Sequence, residues 1–200
     1  MKTGKLVPLR RAGAGGAVLA TMSDEALLAA CGTGDLPALD ALFERFHLPL
    51  YRFLARLPTT DDLTRDDLVQ ATFLEVRRIA KRFRGTSSVK TWILGVAANL
   101  ARHQLRGERR RRAHHASYAE RLTAVPPRPD EQAERRELLA RVAQALAGLS
   151  HDLQVTFVLC DLEQVPGVEV ARALGVPEGT IWRRLHVARK AVRAAVEGNT

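Results

Sequence analysis

Thr180, Trp182, Arg183 and Arg184 open a helical pattern that follows the turn Gly175, Val176, Pro177. At the start of a helix such side chains offer donors and an aromatic face to base edges, and the segment Val168 to Leu174 ahead of the turn completes the outline of a helix-turn-helix. Ile181 and Leu185, four apart, face back into the domain. Spacing alone leaves two readings open: a major-groove reader, or an ordinary helical hairpin with a solvated basic face. No catalytic constellation competes with them. The six histidines, His47, His103, His114, His115, His151 and His186, are scattered, and there is no nucleophile elbow or phosphate-binding glycine loop. The carboxylates follow solvated helix faces, so the chain is expected not to be an enzyme. Cys31 and Cys160 lie too far apart for a zinc knuckle, so neither metal nor cofactor is expected.

Charge points the same way. Thirty-one Lys and Arg against 22 Asp and Glu leave a net charge of +9 over 200 residues, and such a field favours a polyanionic partner. The charge is polarised: residues 23–75 hold 4 basic and 10 acidic side chains, whereas residues 84–121 hold 9 basic and 2 acidic, and residues 178–193 hold 5 and 1. Two separated basic stretches suit two contacts with one duplex. For the four arginines Arg109 to Arg112, a solvated linker is an equally good reading. With 46% hydrophobic and 26% charged residues the composition is globular, enough for one ordinary domain or two small ones. No apolar run approaches the ~20 residues of a membrane span. Two cysteines fit a reduced, cytoplasmic compartment.

The elements that must carry these residues are all helical, since apolar positions recur at three and four spacing and never in sustained alternation. The fold class is all-α: two small helical domains on a flexible linker, the second ending in the helix-turn-helix. Residues 1–22 read as a disordered extension, interrupted by Gly13, Gly15 and Gly16, and residues 1–21 as a possible start-codon artefact ahead of Met22. Residues 23–106 form the first domain. In it Ser23 caps one helix, Asp35 a second that Pro49 kinks or breaks, a third follows Thr64, and Ser87 or Ser88 caps a fourth that ends near Leu105. Residues 107–130, with a basic run and Pro126, Pro127 and Pro129, read as a linker, and residues 131–197 as the second domain. There Ser150 caps a helix bearing Leu153, Val155, Phe157, Val158 and Leu162.

Within this frame DDLVQATFL (Asp66 to Leu74) resembles the polymerase-binding helix of bacterial sigma factors. FRGTSSVKTWI (Phe83 to Ile93) and AANLARHQLR (Ala97 to Arg106) resemble the promoter-melting and minus-ten segments of the extracytoplasmic-function (ECF) group. LSHDLQVTFVLCDLE (Leu149 to Glu163) and ARALGVPEGTIWRRLHVARKAVR (Ala171 to Arg193) are similar to that group's minus-thirty-five domain. The resemblance covers nearly everything from Ser23 to Arg193, in the family order.

What it implies is an alternative sigma factor that binds core RNA polymerase, selects promoters and promotes melting. Asp66, Asp67, Gln70 and Phe73 would dock on polymerase, with capping and core packing as their ordinary alternatives. Ser87, Ser88, Lys90, Trp92, Asn99, Arg102 and Arg106 would hold the minus-ten strand, Trp92 by stacking unless it packs in the core. Thr180, Trp182, Arg183, Arg184, His186, Arg189 and Lys190 would meet the minus-thirty-five duplex. The implied partners are core RNA polymerase, promoter DNA and an anti-sigma factor, since no sensor domain is visible in the chain.

Departures from the family pattern are Val89, Ala98 and His103 in the first domain, and Pro166, Gly167 and Trp182 in the second. Pro166 and Gly167 are expected to shorten the first helix of the reader pair. An exposed indole at 182 reads as a contact to a thymine methyl or to a regulator. The rival function is a stand-alone helix-turn-helix regulator, which leaves DDLVQATFL and the basic fourth helix without a task.

Overall fold

The computed structural model describes residues 19–58, 62–114 and 131–197. All elements among them are helical, without strands. They are α1 (Asp24–Gly32), α2 (Leu36–Ala55), α3 (Asp62–Ile79) with a 3₁₀ turn at Ala80–Arg82, α4 (Val89–His114), α5 (Glu131–Ala147), α6 (His151–Phe157), a π turn (Val158–Leu162), α7 (Gly167–Leu174) and α8 (Glu178–Glu197).

Three of the four expected caps are present, while Ser150 precedes its helix without a side-chain capping hydrogen bond. Ser23 accepts from the Ala26 amide at 3.2 Å and Asp35 from the Ala38 amide at 3.1 Å. Of the two serines ahead of α4, Ser88 is the cap, its hydroxyl accepting from the Thr91 amide at 3.1 Å. Proline 49 does not break α2, which runs through it: Phe46, Leu50, Phe53 and Leu54 are buried on either side, and that packing offsets the roughly 3 kcal/mol that an interior proline costs.

Three boundaries differ from the sequence reading. Residues 19–22 are structured: Arg45 Nη2 donates to the carbonyls of Leu19 (3.1 Å) and Ala20 (2.8 Å), while its Nη1 pairs with Asp24 at 2.6 Å. The remainder of the proposed extension, residues 1–18, lies outside the described residues, as does most of the proposed linker, residues 115–130. Helix α4 does not end near Leu105 but continues to His114, because arginine is a good helix former and one interior glycine, Gly107, costs only about 1 kcal/mol. The helix that follows Ser150 changes register at the π turn, where the Glu163 amide reaches the Val158 carbonyl (2.8 Å) and the Val165 amide the Leu159 carbonyl (2.9 Å). Leu162 is thereby turned outward, 44% exposed, rather than joining the core.

The two helical lobes are packed together. One buried cluster includes Leu42, Phe53, Val76, Ile93 and Ala97 of the first lobe and Val158, Leu159, Val170, Leu174 and Ile181 of the second. Helix α4 lies along α7 so closely that a Cβ on Gly95 would stand 2.7 Å from the Ala173 carbonyl oxygen. A smaller cluster of Leu146, Phe157 and Ala188 fastens α5, α6 and α8.

Candidate functional site

Helix α3 presents one exposed face and one buried face. Leu68, Val69, Thr72, Phe73 and Val76 point inward, while Asp66, Asp67, Gln70, Leu74, Arg77 and Arg78 are exposed. Three of the four residues expected to dock on polymerase therefore share a surface. Phe73 does not: it is 4% exposed and its ring packs on Phe43, centroids 4.9 Å apart. The apolar residue on the outer face is Leu74, 65% exposed. Its position was available in the sequence, since 66, 70 and 74 are four apart whereas 73 falls on the stripe of 69, 72 and 76.

The residues expected to hold the minus-ten strand meet acidic residues of the second lobe. Glu163 pairs with Lys90 Nζ at 3.0 Å and with Arg56. Glu169 Oε1 accepts the Ser88 amide at 2.7 Å, beside the start of α4. Asp152 bridges Arg102 of α4 (3.2 Å) and Arg184 of α8 (2.6 Å). Arg172 donates to the Thr86 carbonyl at 3.2 Å, and His151 Nε2 lies 2.9 Å from the Ala98 carbonyl oxygen. Asn99 accepts from Arg102 at 3.0 Å. Ser87 is half-buried and Arg106 exposed. Trp92 takes the packing alternative: it is half-buried, edge-on to Phe83 with centroids 5.5 Å apart. The backbone that aims Glu163 is unusual, combining the π turn with Gln164 in the left-handed region at φ 56°.

Burial opposes the charge on Glu169, but hydrogen bonds from Ser88 and Thr91 and the nearby Arg172 guanidinium outweigh it and hold the carboxyl below its ordinary value of 4.5. A carboxyl lowered in the packed state stabilises that state above 4.5 and loses the effect as pH falls through the lowered value. The expected result is a lobe separation, followed by small-angle scattering, that Glu169 leaves unchanged between about pH 5 and 8 and whose acid-side onset moves when Glu169→Gln removes the titrating group.

On α8, Ile181, Leu185 and Ala188 are buried, and Trp182, Arg183, His186, Arg189 and Lys190 are exposed along the opposite face, with Thr180 half-buried at the first turn. Arg184 departs from the expected reader set. It sits three after Ile181 and four before Ala188, on the inward side, where Asp152 holds it. Arg189 is paired with Asp161 at 2.6 Å. The reader pair has its turn glycine, Gly175, in the left-handed conformation at φ 67°, and α7 begins at Gly167 with Pro166 as its cap.

Among the described residues no cluster of His, Cys, Asp and Glu is arranged to hold a metal ion, and no helix is long and apolar enough to cross a membrane. Burial, helped by Asp161, pushes the Cys160 thiol up to about 11, so it stays protonated and weakly nucleophilic.

Comparison with known proteins agrees with this layout. The Sigma-70 region 2 family model matches residues 42–111, and the Sigma-70, region 4 model matches residues 139–192. The chain is 35% identical over 167 residues to the ECF RNA polymerase sigma factor SigM of Mycobacterium tuberculosis, covering 84% of this chain and 81% of the relative. It is 26% identical over 185 residues to the ECF RNA polymerase sigma-E factor of Haemophilus influenzae, covering 88% and 96%. In fold it is similar to CnrH, solved in complex with the cytosolic domain of CnrY, with a TM-score of 0.61 at 23% identity over 88% of this chain and 99% of that one. It is also similar in fold to the sigma factor RpoE of Bartonella quintana, solved with the anti-sigma factor NepR, with a TM-score of 0.58 at 20% identity over 79% and 96%.

Proposed function

The chain belongs to the ECF sigma factors, alternative sigma factors that direct RNA polymerase to promoters, and from that membership we propose how its surfaces divide the task. The outer face of α3, with Asp66, Asp67, Gln70 and Leu74, docks on core polymerase. The start and basic flank of α4, with Ser87, Ser88, Lys90, Asn99, Arg102 and Arg106, holds the minus-ten strand. Trp92 supports that surface from within, through Phe83. The outer face of α8, with Thr180, Trp182, Arg183, His186, Arg189 and Lys190, meets the minus-thirty-five duplex. Residues 23–106 and 131–197 act as the two functional lobes, and the chain contributes binding energy rather than catalysis of its own.

The observation that carries this reading is the pairing of Lys90 and Arg102 with Glu163 and Asp152. The basic groups suited to DNA phosphates are occupied by carboxylates of the other lobe, so the packed arrangement is the DNA-free state. Promoter binding exchanges those carboxylates for phosphates. An anti-sigma factor is the proposed external partner. Of two fold relatives, the sigma factor RpoE was solved with the anti-sigma factor NepR and CnrH with the cytosolic domain of CnrY, and the packed state described above is what an anti-sigma partner of this chain would hold. The site of action is the cytoplasm, with the polymerase.

Reconstituted run-off transcription tests the assignment. Core enzyme plus the full chain is expected to initiate at a defined start on a promoter that neither component uses alone. Asp66→Arg reverses a charge on the docking face and is expected to weaken polymerase association by more than about 1 kcal/mol, roughly fivefold, while leaving thermal stability unchanged. Initiation with Asp66→Arg at the wild-type concentration dependence would remove α3 from the docking role. Unaided, sequence-specific duplex binding without polymerase would restore the regulator reading.

A further inference from the structure

Trp182 is 51% exposed on the outward face of α8, and two contacts fix its orientation. Its Nε1–H donates to Glu178 Oε1 at 3.0 Å, one helical turn back. Its six-membered ring lies against Gly167, where an added Cβ would stand 3.1 Å from both Cζ2 and Cη2. Two departures from the family pattern are therefore one feature. Glycine at the start of α7 leaves the room into which the indole edge settles, and any side chain there would crowd the ring.

The consequence is chemical. An indole has one polar atom, and here Glu178 occupies it, so the exposed area that remains is apolar. That apolar face borders basic side chains: Trp182 lines an open groove of about 670 Å³ with Leu185, His186, Arg189, Lys190, Arg193 and Glu197, in which Arg189 pairs with Asp161 and Arg193 with Glu197. A basic helix face of this kind is drawn to a duplex, and in the major groove the one apolar group on a base edge is the thymine C5 methyl. Against a guanine or adenine edge the ring would displace water without replacing its hydrogen bonds, which is unfavourable. We propose that Trp182, locked by Glu178 and Gly167, is a specificity-determining residue that selects thymine in the upstream promoter element. This rests on the assignment of α8 to the minus-thirty-five duplex.

The test uses the full chain with core RNA polymerase and a pool of duplexes randomised across the upstream element. In the recovered consensus each thymine is replaced singly by deoxyuridine, which removes only the methyl group. For the wild-type chain one position is expected to lose roughly three- to fivefold in affinity, the scale of one buried methyl(ene). Trp182→Ala is expected to bind the thymine duplex more weakly and to be indifferent to the replacement. Gly167→Ala, which shifts the ring without removing it, is expected to fall between. Equal responses of wild type and Trp182→Ala at every position would overturn the thymine proposal while leaving the minus-thirty-five assignment intact. A pool with no upstream enrichment at all would overturn both.

Discussion

Gly95→Ala is expected to drive the two lobes apart while making α4 itself more stable. The added Cβ would stand 2.7 Å from the carbonyl oxygen of Ala173 and 3.1 Å from its carbonyl carbon. Both belong to helix backbone, which cannot swing aside as the end of a flexible side chain can. The axes of α4 and α7 must separate, and the buried contacts of Val170 and Leu174 across the junction loosen with them. Overpacking of this kind costs about 1–3 kcal/mol, a roughly 5- to 150-fold shift of the closed-to-open ratio. Within α4 the sign is opposite, since glycine in a helix interior is about 0.5–1 kcal/mol worse than alanine. The substitution thus separates two quantities that most mutations confuse. Small-angle scattering is expected to show a larger radius of gyration, with no fall in the melting temperature of the first lobe. Run-off transcription at limiting chain concentration is expected to rise, because Lys90 and Arg102 no longer have to be released from Glu163 and Asp152. An unchanged radius of gyration would mean that the junction tolerates the methyl and that the close approach at Gly95 does not govern closure.

How the junction forms explains what the sequence could and could not disclose. Helix number, caps and the reader pair were legible because they are local: Ser23, Asp35, Ser88 and Gly175 act within a few residues of themselves. The ends of α2 and α4 were less legible because tertiary packing and the run of arginines override single breakers such as Pro49 and Gly107. Lobe packing was illegible for a different reason. Its contacts join residues far apart in the chain, such as Lys90 with Glu163, 73 residues on, and Arg56 with Glu163, 107 residues on, and charge counting by segment treats such partners as independent. The basic character of α4 suits anions of any source. That Lys90 meets Glu163 of the same chain depends on the π turn and on the left-handed Gln164, neither of which has a local signal. The site residues divide likewise. Periodicity places Asp66, Gln70 and Leu74 outside and Arg184 inside, whereas the motif resemblance, which carries no period, put Phe73 on the docking face.

That last difference yields a paired prediction on neighbouring residues of α3. Phe73 is 4% exposed and packs at a tilt against Phe43, which itself stacks on His47 with centroids 5.0 Å apart, so truncation opens a cavity in the middle of the first lobe. Phe73→Ala is expected to cost about 3–5 kcal/mol of stability, a large fraction of the roughly 5–15 kcal/mol available to a domain. Denaturant unfolding of the first lobe would register it directly. Leu74 is 65% exposed and has little to lose on folding, so Leu74→Ala is expected to change stability by less than about 0.5 kcal/mol. As an apolar group flanked by Gln70, Arg77 and Arg78 it has the composition of an interface anchor, and its loss is expected to weaken polymerase association by more than about 1 kcal/mol. The two variants should therefore cross over, one failing in the unfolding experiment and the other in the binding experiment, with binding by Phe73→Ala preserved at temperatures well below its lowered transition. If Phe73→Ala instead kept wild-type stability and lost polymerase, the ring would have to leave the core on docking, and α3 would be a moving element rather than a rigid one.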